Sequence, residues 1–356
     1  MAKLRVGVLF GGRSTEHDVS KVSARSVINA LDTSKYEVIP LGITKSGEWL
    51  DIEASAALFS GHYVDNKSEH PNLQPIVPDV DVVFPAVHGT YSEDGTLQGF
   101  LELAGLPYVG AGVAASALGM DKLLMKRMFA QAGLPQAPYL GISRHQWRTD
   151  NASLSEAIRT QLGFPCFVKP SNGGSSIGVS KVHNADELRP AVEQALSLDR
   201  KAVAEAAVIG RELECAVLGN DAPEASVVGE ITFNHEFYDY EAKYHDDSTQ
   251  LVIPAQVPAV ISDELRALAV RAFQAVDGAG MGRVDFFLRT ADNQLFINEI
   301  NTIPGFTPMS MYPRMWEATG IAYPALLDRL IELALERHAE GRETYFSNQQ
   351  PQAAQR

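Results

Sequence analysis

The sequence predicts a mixed α/β protein of several domains, opening on a parallel sheet and closing on antiparallel strands. Three observations carry this. The chain has 356 residues, more than one hydrophobic core usually serves. Residues 4–43 read as strand, glycine loop, amphipathic helix and strand, a βαβ unit of the kind that builds open parallel sheets. Residues 283–301 read as two apolar strands around the turn signal Thr290-Ala-Asp-Asn293, an antiparallel hairpin.

The elements follow in order. Residues 4–10, apolar apart from Arg5, read as a strand buried on both faces. The loop Gly11-Gly-Arg-Ser-Thr-Glu-His-Asp18 leads to a helix over 19–31 and a strand over 36–43. Residues 81–87 are another buried strand, ending at His88-Gly89. A helix over 95–104, a short strand at 108–109 and helical periodicity over 114–132 complete an N-terminal domain, placed at 1–124. A second domain, 125–218, pairs β-runs 165–169 and 178–182 across a Gly/Ser connector. A helix over 186–197 and strands at 202–205 and 211–218 follow. A third, 219–346, holds a loop over 238–247 expected to move as a lid, a helix over 262–276 with Ser262 as N-cap, the hairpin, and a helix over 324–337. The polar tail 347–356 is expected to be disordered.

Composition narrows the function. The formal net charge of −14 argues against nucleic acid or an anionic membrane as partner, so an anionic substrate needs local basic groups. Cys166 and Cys215 sit in apolar runs without metal spacing and read as core residues, in keeping with a reducing, cytoplasmic location. Residues 4–10 are too short for a secretory signal, and no run approaches the roughly 18 apolar residues of a membrane span.

The hairpin carries the most specific chemistry. Alternation puts Arg283 and Asp285 on one face, and Glu299 and Asn301 on one face of the return strand. With Asp285 opposite Glu299, Arg283 falls opposite Asn301, and Phe286, Leu288, Asn298 and Ile300 turn the other way. Two carboxylates and an amide oxygen suit a hard cation such as Mg²⁺; the alternative is a solvated polar face. Arg283 fits oxyanion stabilisation, or a salt bridge to Asp285 or Glu299. Ser171-Asn-Gly-Gly-Ser-Ser-Ile-Gly178, preceded by Lys169, lacks the Walker pattern but can fold over a polyphosphate, or be a simple turn. Glu16, beyond the carboxyl end of the first strand, can hold a substrate amine or serve as a helix N-terminal charge. His88 is a substrate contact or a buried, hydrogen-bonded histidine. The Gly11-Gly12 turn lacks the dinucleotide fingerprint, and no serine sits in a nucleophile elbow.

Six segments, in order over residues 4–340, resemble the D-alanine–D-alanine ligases of the ATP-grasp superfamily. They are Leu9-Phe-Gly-Gly-Arg-Ser-Thr-Glu-His-Asp-Val-Ser20, His88-Gly-Thr-Tyr-Ser-Glu-Asp-Gly-Thr-Leu-Gln-Gly99, Gly119-Met-Asp-Lys122, Val168-Lys-Pro-Ser-Asn-Gly-Gly-Ser-Ser-Ile-Gly178, Phe237-Tyr-Asp-Tyr-Glu-Ala-Lys-Tyr244 and Asn298-Glu-Ile-Asn-Thr-Ile-Pro-Gly305. The resemblance implies a three-domain ATP-grasp architecture, with ATP clamped between the second and third domains. It implies an acyl-phosphate route to D-alanyl-D-alanine for peptidoglycan precursors, in the cytoplasm and as a homodimer. By position it implies that Glu16 holds the first D-alanine's ammonium, that Ser175 and Tyr244 join it in a hydrogen-bonded triad closing the loops, and that His88 lies beside that substrate. Lys122, Lys169, Ser176 and Lys243 would meet ATP phosphates. Glu205, Ala207, Val208, Glu212, Phe287 and Asn298 would surround the nucleotide. Asp285, Glu299 and Asn301 would hold two Mg²⁺ (or Mn²⁺), and Arg283 with the Gly305 backbone would stabilise the oxyanion. Ser310 would take the second D-alanine's carboxylate, with Met311 beside it. Ala206 stands where many members carry a charge, at a contact expected to use backbone. Tyr244 is the implied discriminator for D-alanine against D-lactate or D-serine. A non-catalytic nucleotide sensor is the rival of another class, and the intact hairpin face argues against it.

Overall fold

A computed structural model describes residues 2–63, 79–232, 250–307 and 309–347. Residues 238–247, expected from sequence to move as a lid and including Lys243 and Tyr244, lie outside the described residues, as does the tail from residue 348. The chain opens with β1 (Leu4–Gly11), α1 (His17–Ala30), β2 (Tyr36–Ile43), α2 (Ile52–Ser60) and β3 (Val82–Pro85). These strands form a parallel sheet in the order β2-β1-β3, with Leu4 opposite Tyr36 and Gly11 opposite Ile43. Six successive residues of β1 are buried, because helices cover both faces of the sheet.

Next come α3 (Thr96–Leu103), α4 (Val113–Met120) and α5 (Lys122–Gln131). The helix expected over 114–132 is two helices, broken at Asp121. That residue is extended and caps α5, its carboxylate accepting from the N–H of Leu123 at 3.2 Å and of Leu124 at 3.3 Å. Ser171 Oγ donates to the same carboxylate at 2.6 Å, and Lys122 N donates to Ser171 O at 2.9 Å. The break therefore pins the start of α5 to the Gly/Ser connector.

The central layer contains β4 (Tyr139–Ser143), α6 (Arg144–Gln161), β5 (Cys166–Pro170), β6 (Ser180–Val182), α7 (Ala185–Leu198) and β7 (Lys201–Ala206). Its antiparallel sheet runs β4-β7-β5-β6. The last region holds β8 (Gly210–Gly219), β9 (Glu224–Thr232), β10 (Gln250–Val252), α8 (Ala259–Ala275), β11 (Gly280–Arg289), β12 (Leu295–Asn301), α9 (Met311–Thr319) and α10 (Tyr323–Ser347). Its sheet order is β10-β9-β8-β11-β12. β8, grouped from sequence with the second region, pairs over its whole length with β11 and so lies in the sheet of the third. Ser262 is not an N-cap: α8 starts after Pro258, and Ser262 N already donates to Pro258 O at 3.0 Å.

The C-terminal helices pack onto the N-terminal sheet. Phe306 meets Phe84 edge-on at 5.6 Å between ring centroids, and both belong to a core shared with Tyr312, Trp316 and Leu330. Tyr36 OH donates to Asp328 Oδ1 at 2.8 Å. This packing brings the segment after β12 against the carboxyl ends of β1 and β3. Both cysteines are buried, and burial pushes the Cys166 thiol up to about 11 and the Cys215 thiol up to about 12, in keeping with core residues. Among the described residues no helix is long and apolar enough to cross a membrane.

Candidate active site

The hairpin register is Asp285 opposite Glu299 and Arg283 opposite Asn301, as the alternation predicts. On the other side of β11, Asp285 faces Glu214 and Phe287 faces Glu212. One sheet face therefore carries Glu212 and Phe287, then Glu214, Asp285 and Glu299, then Arg283 and Asn301. Arg283 donates from Nε and Nη2 to the two oxygens of Asp285, each at 2.7 Å, and its Nε lies 3.1 Å from Glu214 Oε2. Burial works against the Arg283 charge, but Asp285 and Glu214 outweigh it and hold its pKa well above the usual arginine range. The salt-bridge alternative thus holds in part, to Asp285 rather than Glu299. Glu299 instead lies 3.3 Å from the Lys122 ammonium, and Asn301 Oδ1 accepts from Ile303 N at 3.0 Å.

Asn298 corrects the alternation. A bulge between Asp285 and Phe286 shifts the register by one residue, so Phe286 pairs with Ile297. Asn298 is left as the extra residue of β12, and its Oδ1 accepts from the Lys169 ammonium at 3.3 Å. It faces the polar site instead of turning away with Phe286, Leu288 and Ile300.

The facing layer supplies the cations. Lys169 is the penultimate residue of β5, and its Nζ lies 2.9 Å from Glu205 Oε2. Burial opposes this charge too, and the carboxylates of Glu205 and Glu299 outweigh it, so the Lys169 pKa is raised. Lys122 Nζ donates to Gly173 O at 2.8 Å, inside the Gly/Ser connector. In that connector Ser175 and Ser176 take positive φ, 49° and 57°, at some conformational cost. Glu205 sits on the inner strand β7, between Tyr139 and Phe167. Beyond it Ala207 N donates to Pro165 O at 3.3 Å, and Val208 is half-buried at the start of the link to β8.

A third group comes from the parallel sheet. Ser175 Oγ donates to Glu16 Oε1 at 2.5 Å, joining loops 159 residues apart. Ser14 Oγ donates to His88 O at 2.6 Å, and Gly89 N donates to Glu93 Oε2 at 3.0 Å. The His88 ring is buried, with Nδ1 3.2 Å from Ile303 O and Nε2 2.9 Å from Ser23 Oγ. A carbonyl only accepts, so Nδ1 carries a proton. Burial opposes charge on this ring, and Glu93 and Glu16 outweigh it, leaving its pKa above the usual histidine value. His88 is thus a hydrogen-bonded histidine that stands one residue from the Glu16 pocket. Gly305 follows the hairpin; a Cβ there would stand 2.9 Å from Ser310 Oγ, so hydroxyl and backbone are neighbours. Thr307 N donates to that hydroxyl at 3.1 Å, and Met311 opens α9, buried against Gly229.

Sequence reasoning missed three charged residues here. Glu214 lies two positions from Glu212 on β8, and strand alternation could have found it. Lys126 lies one turn from Lys122 on α5, a spacing that puts both on one helix face. Glu93 lies within the His88 segment and carried no separate signal.

The donor set suits a hard divalent ion. Asp285, Glu299 and Asn301 offer oxygens only, and Arg283 and Lys122 neutralise the carboxylates. Among the described residues no three His, Cys, Asp or Glu side chains come together as a metal-holding group. Such a pair of carboxylates fits Mg²⁺, which is commonly held by one or two carboxylates together with substrate phosphates.

Two antiparallel layers, one bringing lysines and a glycine loop and the other a carboxylate hairpin, define the class: this is the ATP-grasp fold. A family model described as D-ala D-ala ligase N-terminus matches residues 5–111, and one described as D-ala D-ala ligase C-terminus matches residues 128–332. The chain belongs to the D-alanine–D-alanine ligase family. It is 51% identical over 342 residues to the D-alanine–D-alanine ligase of Halothermothrix orenii, covering 94% of this chain and 99% of that one. It is 50% identical over 360 residues to D-alanine–D-alanine ligase A of Salmonella typhimurium, covering 95% and 97%. Among solved structures, the D-alanine–D-alanine ligase from Coxiella burnetii superposes with a TM-score of 0.83 at 36% identity, over 98% of each chain. The VanG D-Ala:D-Ser ligase from Enterococcus faecalis gives 0.81 at 35%, over 94% and 100%.

Proposed function

We propose that this chain joins two D-alanines into D-alanyl-D-alanine at the expense of ATP, releasing ADP and phosphate for peptidoglycan precursor synthesis. The observation that carries the reading is the Glu16–Ser175 hydrogen bond. It closes an amine-binding corner of the first domain onto a phosphate loop, beside the polar face of the hairpin. A nucleotide sensor needs no such third wall.

In this reading the first D-alanine's ammonium sits at Glu16, with His88 beside it and Tyr244 completing the triad. Its carboxylate oxygen attacks the γ-phosphorus of ATP, the bond to the β-phosphate oxygen breaks, and D-alanyl phosphate and ADP result. Lys122, Lys169, Ser176 and Lys243 position the phosphates, Glu205, Val208 and Glu212 surround adenine and ribose, and Ala207, Phe287 and Asn298 complete the nucleotide site. The second D-alanine's carboxylate is received at Ser310, with Met311 alongside, and its amine attacks the acyl carbon. Nε and Nη2 of Arg283 are committed to Asp285, which leaves Nη1 to meet the oxyanion with the Gly305 N–H; the intermediate then collapses and phosphate leaves. When bound at Asp285, Glu299 and Asn301, two Mg²⁺ (or Mn²⁺) supply charge neutralisation to the phosphates. The proposal extends to a cytoplasmic homodimer and to a three-domain division, 1–124, 125–209 and 210–346, the last boundary moved from 218 to before β8 because that strand lies in the sheet of the third region.

The second reading keeps the fold and changes the second substrate to D-serine, the one the VanG neighbour's own name carries, or to D-lactate. Competition decides it. With all three present, D-alanine is expected to be the favoured acceptor over D-serine and D-lactate at neutral pH, read by mass spectrometry of the products. More depsipeptide or D-alanyl-D-serine than D-alanyl-D-alanine would overturn the specificity.

Gly89 offers a test of the amine corner. Its φ is +81°, and a Cβ there would stand 2.8 Å from Glu16 Oε2 and 3.0 Å from Ser14 Cβ. Gly89→Ala is expected to displace the Glu16 carboxylate and raise the KM for the first D-alanine by about tenfold or more, a loss of ~1.4 kcal/mol or above. An unchanged KM in a folded variant would remove Glu16 from that role.

A further inference from the structure

Helix α5 carries two lysines one turn apart. Lys122 reaches Gly173 and Glu299, at the phosphate loop and the hairpin. Lys126 reaches neither. Its side chain is 0% exposed, its ammonium contacts Glu205 Oε1, and it stands 5.3 Å from the centroid of the Tyr139 ring. The other oxygen of Glu205 accepts from Lys169 at 2.9 Å. One buried carboxylate therefore holds two ammonium groups.

Lysine is almost never fully buried unless it is paired, and burial of its charge carries a desolvation penalty. The Glu205–Lys169 pair is already neutral without Lys126. The third charge stabilises the pair little, and burial lowers the Lys126 pKa in spite of Glu205. Its consequence lies in what Lys169 is able to do. With Lys126 protonated beside Glu205 the cluster carries one net positive charge, and it is Lys169 that borders the open face, 3.3 Å from Asn298 Oδ1. Without Lys126 the cluster is neutral. Lys169 could then move to an anion only by abandoning a buried, uncompensated carboxylate.

We propose that Lys126 is a positioning residue for nucleotide phosphates: by holding Glu205 in a buried pair of its own, it frees the Lys169 ammonium to bind phosphate. Lys126 itself touches no ligand. The inference rests on the reading of this site as an ATP site, and it predicts an effect that depends on phosphate and not on the base.

The experiment compares ATP with adenosine, both measured by calorimetry on the purified full chain. Lys126→Met is expected to weaken ATP binding by about tenfold or more while adenosine affinity stays within about twofold, since truncating one partner of a buried charge pair acts on the partner left behind. In steady state the KM for ATP rises and kcat at saturating ATP changes by less than about threefold. The double variant Lys126→Met with Glu205→Gln removes the whole pair, so Lys169 has no buried anion to abandon. Its ratio of ATP to adenosine affinity is expected to return to within about threefold of the wild-type ratio. That ratio is read on the double variant even where Lys126→Met alone does not fold. Equal losses for ATP and adenosine, no loss for ATP, or a double variant whose ratio stays about tenfold or more below wild type would each overturn the proposal. D-alanine-dependent ADP release by the wild-type chain is scored separately. Its absence beside these binding ratios would count against the ligase reading and leave the role of Lys126 standing.

Discussion

Arg283→Gln is expected to lower turnover by about 10²–10³, the ~2.7–4 kcal/mol typical of losing one preorganised oxyanion donor. The guanidinium is held by the two hydrogen bonds it donates to Asp285 and a contact to Glu214, so it waits in one orientation at the end of the hairpin face. Preorganisation of this kind costs nothing at the moment charge develops. The same contacts make the substitution hazardous for the fold, because Asp285 and Glu214 would be left facing each other across β11 and β8. Breaking a buried pair costs about 3–5 kcal/mol. Arg283→Lys separates the two effects. It keeps a cation between the carboxylates and loses the planar fork, so thermal stability is expected to hold while kcat still falls by about tenfold or more. Single-turnover formation of the dipeptide, set beside a melting curve for each variant, checks this. A stable Arg283→Lys variant with full kcat would remove the arginine from the chemistry.

Glu299→Gln is expected to lower turnover by at least about tenfold at low Mg²⁺, with partial recovery as Mg²⁺ is raised. The glutamine keeps the shape and one oxygen but removes the charge opposite Asp285. It also frees Lys122 from its contact at 3.3 Å, so ATP affinity need not fall in step with turnover. A titration of turnover against Mg²⁺ for both proteins reads the difference. Near-normal turnover at low Mg²⁺ would take Glu299 out of the metal set.

The hairpin was legible because alternation is a local rule. Arg283, Asp285, Glu299 and Asn301 are polar at every second position of two apolar strands, and their register follows from the turn. The rule failed at Asn298 because a bulge inserts one residue without a mark in the sequence. Other misses were signals passed over. Ser143-Arg-His-Gln146 is a capping box and opens α6, a helix that the sequence reading did not anticipate. Ser262 reads as a cap from its residue type, but it lies three residues inside α8, whose first turn begins directly after Pro258. Asp121 broke a periodic stretch because a short polar side chain at a helix start competes for backbone N–H groups. The meeting of Glu16 with Ser175 is of a different kind. Neither loop carries local information about the other, and the family resemblance alone placed them together. Lys126 shows the limit on the core side: a lysine on a helix face reads as solvated until its glutamate partner, 79 residues on, is seen buried beside it.

The most direct measurement is ADP release by the wild-type chain with ATP and Mg²⁺, as a function of added amino acid. Release is predicted to depend on D-alanine, to rise with its concentration, to be absent with L-alanine, and to match D-alanyl-D-alanine one to one. ADP release that ignores D-alanine, or none while ATP still binds, would contradict the ligase assignment of the site.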